Sequence, residues 1–263
     1  MRVAHLLDFV YTEKMKITPD YTVIYNDEDI VVLNKRSGLL IAADRYDEEA
    51  PRLDLEASKE FGKLFAVHRI DKDTSGCVIY AKNAEAHKNL SMQFENREVT
   101  KIYHALVLGH PMWESKKVDS KLLVDGDARH RTVLNQRYGK AAITDFKNLG
   151  NCGPYSWIEA RPHTGRTHQI RAHLQSLGIS IVCDPLYSGN QHPVLLSEIK
   201  KRWNGDESQE RPLLSRLALH AYKLTLAHPK TGEKITFTAP YPKDMEATRK
   251  QLSNIFGVDP FKE

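Results

Sequence analysis

The strongest constraint on how this chain folds is a succession of short apolar runs, each long enough for a strand and too short for a helix. Val23 to Tyr25, Ile30 to Leu33, Val78 to Tyr80, Ile102 to Leu108, Ile143 to Phe146, Trp157 to Ala160, Leu217 to Leu226 and Ile235 to Phe237 alternate or run apolar in this way. Turn chemistry at Pro229-Lys230-Thr231-Gly232 separates the last two, which predicts a closing hairpin. Two segments carry a helical period instead. Asn83 can cap one in which Ala86, Leu90 and Phe94 recur four apart, and Thr167 can cap another whose stripe of Ile170, Leu174 and Leu177 ends at Gly178. There is no fixed-period repeat, and the polar stretch from Lys200 to Glu210 reads as a surface excursion rather than a linker. The expectation is one α+β domain over residues 1–263, built on a large mixed sheet.

Charge and cysteine content narrow the setting. A formal charge of +4 with a sequence pI near 8.8 permits a nucleic-acid partner without demanding one. Cys77, Cys152 and Cys183 match neither a disulfide framework nor a paired zinc knuckle, so buried free thiols in a reducing cytoplasm are expected. Between Met1 and Lys14 the apolar stretch is broken by His5 and Asp8, and no run approaches the ~20 apolar residues that a bilayer span needs.

Four polar segments are candidates for chemistry. His68-Arg69-Ile70-Asp71-Lys72-Asp73-Thr74-Ser75-Gly76 precedes an apolar run and should form an exposed loop at a strand entry, a position that suits a catalytic group and equally a plain turn. Arg161 to Arg171 leaves a strand, turns at Gly165 and opens the second helix. On that helix His168, Arg171 and Gln175 share a face expected to point away from the core, beside an arginine-flanked N-terminus that favours anions; a merely solvated basic face is the alternative. In the strand that starts at Lys101, period-two geometry places Lys101, Tyr103 and Ala105 on one side, with Tyr103 open to reading as a rim aromatic. From His110 to Lys140, seven lysines and arginines face four acids, and Arg129-His130-Arg131 within it reads as part of a mobile basic loop able to follow phosphates.

Taken together, these segments resemble the RluA-type family of RNA pseudouridine synthases. His68-Arg69-Ile70-Asp71 with Thr74-Ser75-Gly76 is similar to its H-R-L-D-x-x-T-S-G motif, Lys101-x-Tyr103-x-Ala105 to its K-x-Y-x-A strand, and Gly165-Arg166-Thr167-His168-Gln169-Ile170-Arg171 to its G-R-T-H-Q-I-R signature. Weaker similarity runs from Val23 to the Leu219-His220-Ala221-Tyr222 hairpin and includes Asp184-Pro185-Leu186-Tyr187. Ile70, Arg36 and Cys183 depart from the family's usual leucine, proline and glycine without touching a catalytic position.

The resemblance implies the pseudouridine synthase fold, with a mostly antiparallel sheet flanked by helices and loops; many relatives begin with a small separate RNA-binding domain, and none is expected here because few residues precede Val23. It implies isomerisation of uridine in structured ribosomal or transfer RNA by a monomer that uses neither cofactor nor metal. Asp71 is the expected catalytic carboxylate, Arg171 its ion-pair partner in the closed site, and Tyr103 the residue against the uracil ring. Arg69, Arg129, Arg131, Arg166 and His168 are the expected RNA contacts. Three competing readings are weaker. A metal hydrolase using His163, His168 and His173 lacks an i, i+4 histidine pair and a placed glutamate. A glycosidase using Asp71 with Asp73 would need carboxylates that flank a bond. A binder that has lost catalysis would not need all three catalytic residue types.

Overall fold

The computed structural model describes residues 20–43, 50–189 and 192–261. The N-terminal stretch from Met1 to Lys14 lies outside these residues. The strands are β1 (Tyr21–Asn26), β2 (Ile30–Lys35), β3 (Phe65–Ala66), β4 (Ser75–Ala81), β5 (Thr100–Leu108), β6 (Ser115–Leu123), β7 (Val133–Leu134), β8 (Lys140–Cys152), β9 (Tyr155–Pro162), β10 (Leu219–Ala227) and β11 (Lys234–Thr238). The helices are α1 (Leu53–Phe61), α2 (Ala84–Glu95), α3 (Gln169–Ser176), α4 (Leu196–Ile199) and α5 (Lys243–Phe256).

All of these strands join one sheet in the order β1-β2-β4-β10-β5-β9-β8-β6-β7, with β11 added to β10 and β3 to β4. Every pairing is antiparallel except that of β4 with β10. The mixed, mostly antiparallel α+β sheet expected from the sequence is therefore the fold. The closing hairpin is β10–β11, in register from Lys223 opposite Thr238 to Ala227 opposite Lys234.

Strands β2 and β4 are nearly continuous in apolar residues because both of their faces are covered. Ile30, Val32, Cys77, Ile79 and Ala81 face α2, where Ala86 and Leu90 are buried as their spacing predicts. Val31, Leu33, Val78 and Tyr80 face the other way, onto Leu53 and Ala57 of α1 and onto Ile70. The Asn83 side chain accepts from the Ala86 amide at 2.9 Å and caps α2 as expected. A second core joins β5 and β9, through Leu106, Trp157 and Ile158, to Ile170 and Leu174 of α3 and to Met245 and Leu252 of α5.

Two differences from the sequence reading have clear physical causes. The segment from His110 to Lys140 is not a basic loop. Residues 115–123 form β6, paired to β8 from Ser115 opposite Lys147 to Leu122 opposite Lys140. Only Val118 and Leu122 of that strand are buried, so its apolar signal is too sparse to see. Helix α5 is similarly polar, and three buried side chains, Met245, Thr248 and Leu252, fix it to the sheet. The three cysteines are buried and form no disulfide, and no helix among the described residues is long and apolar enough to cross a membrane.

The parallel contact between β4 and β10 depends on a glycine. Gly76 sits at φ +115°, and a Cβ there would stand 2.3 Å from the Ala221 carbonyl oxygen. Only a residue without a side chain allows both the backbone angle and the approach.

Candidate active site

The loop from Val67 to Thr74 enters the sheet through Gly76, and its backbone is held from several sides. Ile70 is buried against Tyr80, Leu39 and Ala221, a contact worth about 1.5–3 kcal/mol that anchors the loop beside Asp71. On one flank the His68 ring stacks on Phe94 at 4.7 Å and accepts the Ile79 amide at Nε2, 3.1 Å away. Burial drives His68 down to about 3, so it holds the loop as a neutral ring. Below the loop, the fully buried Lys35 donates from Nζ to the carbonyls of Lys72 and Arg36 at 2.8 and 3.0 Å, and the Gly38 amide donates to the same Lys72 carbonyl at 2.8 Å. Burial lowers the Lys35 ammonium to about 7 while Asp73 and Asp71 oppose the fall. Asp71 thus projects from a rigid support, with its side chain 20% exposed.

Helix α3 supplies the facing wall, and it differs from expectation. Its cap is His168, in the left-handed conformation at φ 51°, and not Thr167. Of the polar face expected to point outward, Arg171 is turned inward at 2% exposed, whereas His168 is half-buried at the cavity and Gln175 is exposed. Gln169, the first helical residue, ties the preceding turn to the sheet. Its Oε1 accepts the Thr164 hydroxyl at 2.6 Å and the Arg166 amide at 3.1 Å, and its Nε2 donates to Ile143 O and Thr144 Oγ1 at 2.9 Å each. Thr164 to Arg166 is thereby fastened to β8.

Arg171 does pair with Asp71, but weakly: Nη1 lies 3.4 Å from Oδ2. The principal partner is Asp184, whose two oxygens take Nε and Nη2 at 2.8 Å each. Asp184 is itself fully buried and also accepts the amides of Leu186 and Tyr187 at 2.9 and 3.1 Å. The Arg171 guanidinium lies 5.0 Å from the Tyr187 ring centroid. Burial opposes the Arg171 charge, yet Asp184 and then Asp71 more than offset that and hold the group above its ordinary range. The expected contact of Arg171 with Asp71 is thus present, with an addition the sequence reading did not make: Arg171 is locked by Asp184 and offers its remaining edge to Asp71. The similarity noted at Asp184-Pro185-Leu186-Tyr187 was the signal for this residue, since an aspartate without a partner in sequence gives no hint that it is buried.

Asp71, Tyr103, Arg171, Arg69, Arg166 and His168 line one cavity of about 530 Å³. Tyr103 is pushed well above the usual phenol range by burial first and the Asp71 carboxylate second, and stays a neutral hydroxyl. Burial also lowers His168, against the pull of Asp71, and its Nδ1 lies 3.4 Å from the Tyr187 hydroxyl. Arg129 and Arg131 lie outside that lining. Arg131 turns inward, donating from Nε to Asp127 Oδ2 at 2.8 Å and from Nη1 to Leu186 O at 3.3 Å, while Asp127 Oδ1 accepts the amides of Arg129 and Arg131 at 3.0 and 3.1 Å. These two arginines therefore sit in an ordered turn between β6 and β7, with Arg129 exposed.

The three histidines weighed as metal ligands have separate partners. His163 and His168 both line the cavity, His163 bonded to Asp145 and His168 against Tyr187, while His173 bonds Thr144 inside the core. Asp27, Asp29 and His228 do approach one another, but Asp27 is occupied by the amides of Asp29 and Ile30, the Tyr25 hydroxyl and His228. That cluster closes the β1–β2 turn.

The sequence profile of the RNA pseudouridylate synthase family matches residues 29–176, a span that contains all three motifs. A protein of Chlorobaculum parvum called an uncharacterized RNA pseudouridine synthase is 36% identical over 253 residues, covering 89% of this chain and 75% of its own. Ribosomal large subunit pseudouridine synthase D of Zymomonas mobilis is 34% identical over 244 residues, covering 88% and 72%. The dual-specificity RNA pseudouridine synthase RluA of Haemophilus influenzae is 34% identical over 224 residues, covering 85% and 94%. In fold, the chain is similar to human RNA pseudouridylate synthase domain containing 1, with a TM-score of 0.65 at 24% identity over 86% of this chain and 87% of that one. The chain therefore belongs to the RNA pseudouridylate synthase family, on its RluA-type branch, and is an isomerase that makes pseudouridine in RNA.

Proposed function

We propose that this enzyme isomerises a specific uridine in structured ribosomal or transfer RNA, with Asp71 as the carboxylate at the ribose, Arg171 as its orienting cation and Tyr103 against the uracil ring. The observation that carries this reading is the Asp71–Arg171 contact of 3.4 Å in the same cavity as Tyr103. The reaction breaks the bond from the ribose to the ring nitrogen, turns the freed uracil and joins the same sugar carbon to ring carbon five, which then gives up its proton. A carboxylate beside the sugar serves the first step, and a fixed guanidinium keeps that carboxylate aimed and charged once the base has excluded water. As a neutral phenol, Tyr103 accepts the ring proton only while passing its own to the Asp71 carboxylate, which is free again once the sugar–carbon bond has formed.

A uridine stacked in a helix cannot present its ribose and ring to Asp71 and Tyr103 together. Extrusion costs a few kcal/mol, least in a loop. Arg69 and Arg166, at the cavity mouth, are assigned to the flanking backbone, with His168 inside and Arg129 further out; Arg131 contributes less because Asp127 already holds it. The proposed enzyme is a monomer of the cytoplasm, a setting that three buried thiols without disulfides suit.

The test is tritium release from RNA labelled at ring carbon five of uridine. Asp71→Asn should abolish release while the Kd for the RNA changes less than about threefold, and Tyr103→Phe should bind as wild type with release slowed at least about 100-fold, the range of a lost proton-transfer group. Release by Asp71→Asn at the wild-type rate refutes the assignment. Mapping pseudouridine in total RNA with and without the gene identifies the target.

A further inference from the structure

The cavity contains a cation that the chemistry at Asp71 does not use. Lys101 stands two residues before Tyr103 on β5, so the strand period puts both side chains on the cavity side, their Cα atoms ~7 Å apart. The Lys101 ammonium has one hydrogen bond, to the Thr164 carbonyl at 3.3 Å, and among the described residues no carboxylate lies within salt-bridge distance of it. Its charged neighbour is another cation, Arg97, which shares the cavity wall. Burial lowers the ammonium to about 8 and Arg97 adds to the fall. A half-buried cation next to a second cation, with no carboxylate paired to it although Asp71 and Glu95 line the same cavity, is an arrangement that an incoming anion stabilises.

The loop above it leaves room for one. Gly165 has no positive φ to explain it, and a Cβ at that position would stand 3.9 Å from the Lys101 Nζ. Glycine thus keeps that side of the ammonium uncovered. Thr164 and Arg166, on either side, are fixed to β8 through Gln169, so the opening is rigid.

We propose that Lys101, with Arg97 and the gap at Gly165, forms a phosphate subsite that grips a backbone phosphodiester beside the extruded uridine. The inference rests on the RNA reading of the cavity. One strand period from Tyr103 is about the step from a base to its neighbouring linkage, so a ring against Tyr103 brings a phosphate over Lys101. The contact fixes the register of the strand in the cavity and helps hold the uridine out of its stack.

The experiment is fluorescence anisotropy with a fluorescein-labelled RNA stem-loop carrying a uridine loop, titrated between about 50 and 200 mM salt, where log Kd against log salt counts neutralised phosphates. Lys101→Gln should bind about tenfold more weakly at the low end and lower the slope by ~0.7, the value for one phosphate of a single strand, while Lys101→Arg should keep the wild-type slope. A second measurement is independent of any substitution. In the wild-type protein, a neutral methylphosphonate moved one linkage at a time through the loop should weaken binding about tenfold at one position and little at the others. An unchanged slope in Lys101→Gln, a lowered slope in Lys101→Arg, or equal sensitivity at every linkage overturns the subsite. If the wild-type protein released tritium normally while any of these held, the subsite alone would fall. Absence of RNA binding by the wild-type protein would remove both the subsite and the function proposed above.

Discussion

Asp184 offers the sharpest test of how the site is held. Replacing it with asparagine keeps the shape and leaves Oδ1 able to accept Arg171 Nη2 and the amides of Leu186 and Tyr187, while it removes the charge and sets an Nδ2 donor against the Arg171 Nε–H that Oδ2 accepted. It strands the Arg171 guanidinium, 2% exposed, with Asp71 at 3.4 Å as its remaining carboxylate. Leaving one partner of a buried ion pair uncompensated costs about 3–5 kcal/mol, and for a domain of this size that lowers Tm by ~6–15 °C. Arg171→Met should cost a similar amount by stranding Asp184. The double variant Arg171→Met/Asp184→Asn leaves no buried charge there and should lose less than either single change, a coupling of at least about 2 kcal/mol in urea unfolding. Activity should not follow stability: the double variant regains folding but not turnover, because Asp71 has lost its guanidinium. Additivity of the two single losses to within ~0.5 kcal/mol, or a loss under about 1 kcal/mol for Asp184→Asn, would show that Arg171 is not locked in this way.

Two further outcomes test the support beneath the loop. Gly76→Ala forces a Cβ to 2.3 Å from the Ala221 carbonyl at a backbone angle of +115°; strain and overpacking together should cost about 4 kcal/mol in urea unfolding, and a loss under ~1 kcal/mol would mean the two strands part easily. His220 is buried and neutral, taking the Ser75 hydroxyl at Nδ1 (2.9 Å) and donating from Nε2 to Ala239 O (3.0 Å), and burial lowers it to about 4. The unfolded chain binds this proton near pH 6.5 and the native protein only near pH 4, so stability present above pH 6.5 falls as pH drops toward 4, by roughly 3 kcal/mol from this group. His220→Gln should therefore flatten the pH dependence of unfolding over that window, and an unchanged slope would place the acid sensitivity in other groups, such as His68 and His104, which burial lowers in the same direction.

What the sequence by itself determined was the succession of strands, the α2 cap at Asn83, the closing hairpin, and the residue types that meet in the cavity. Apolar period and turn chemistry are local properties, and three motifs in order are specific enough to mark Asp71, Tyr103 and Arg171 before any contact is known. The tertiary structure alone decided which contacts those residues make. Helical spacing put Arg171 on a polar face and so pointed it outward, but a face becomes inner or outer only when another element packs on it, and Asp184 lies beyond the helix with Tyr187 beside it. The same holds for β6, whose two buried side chains give no periodic signal until the sheet selects them, whereas Met245, Thr248, Leu252 and Ile255 of α5 do recur at helical spacing, a signal the sequence reading passed over. Charge composition marked Arg131 as available to RNA, whereas a single turn gives it to Asp127. Lys101 shows the converse: its exposure to the cavity and its lack of a paired carboxylate become visible only once Thr164, Gly165 and Arg97 have been brought around it.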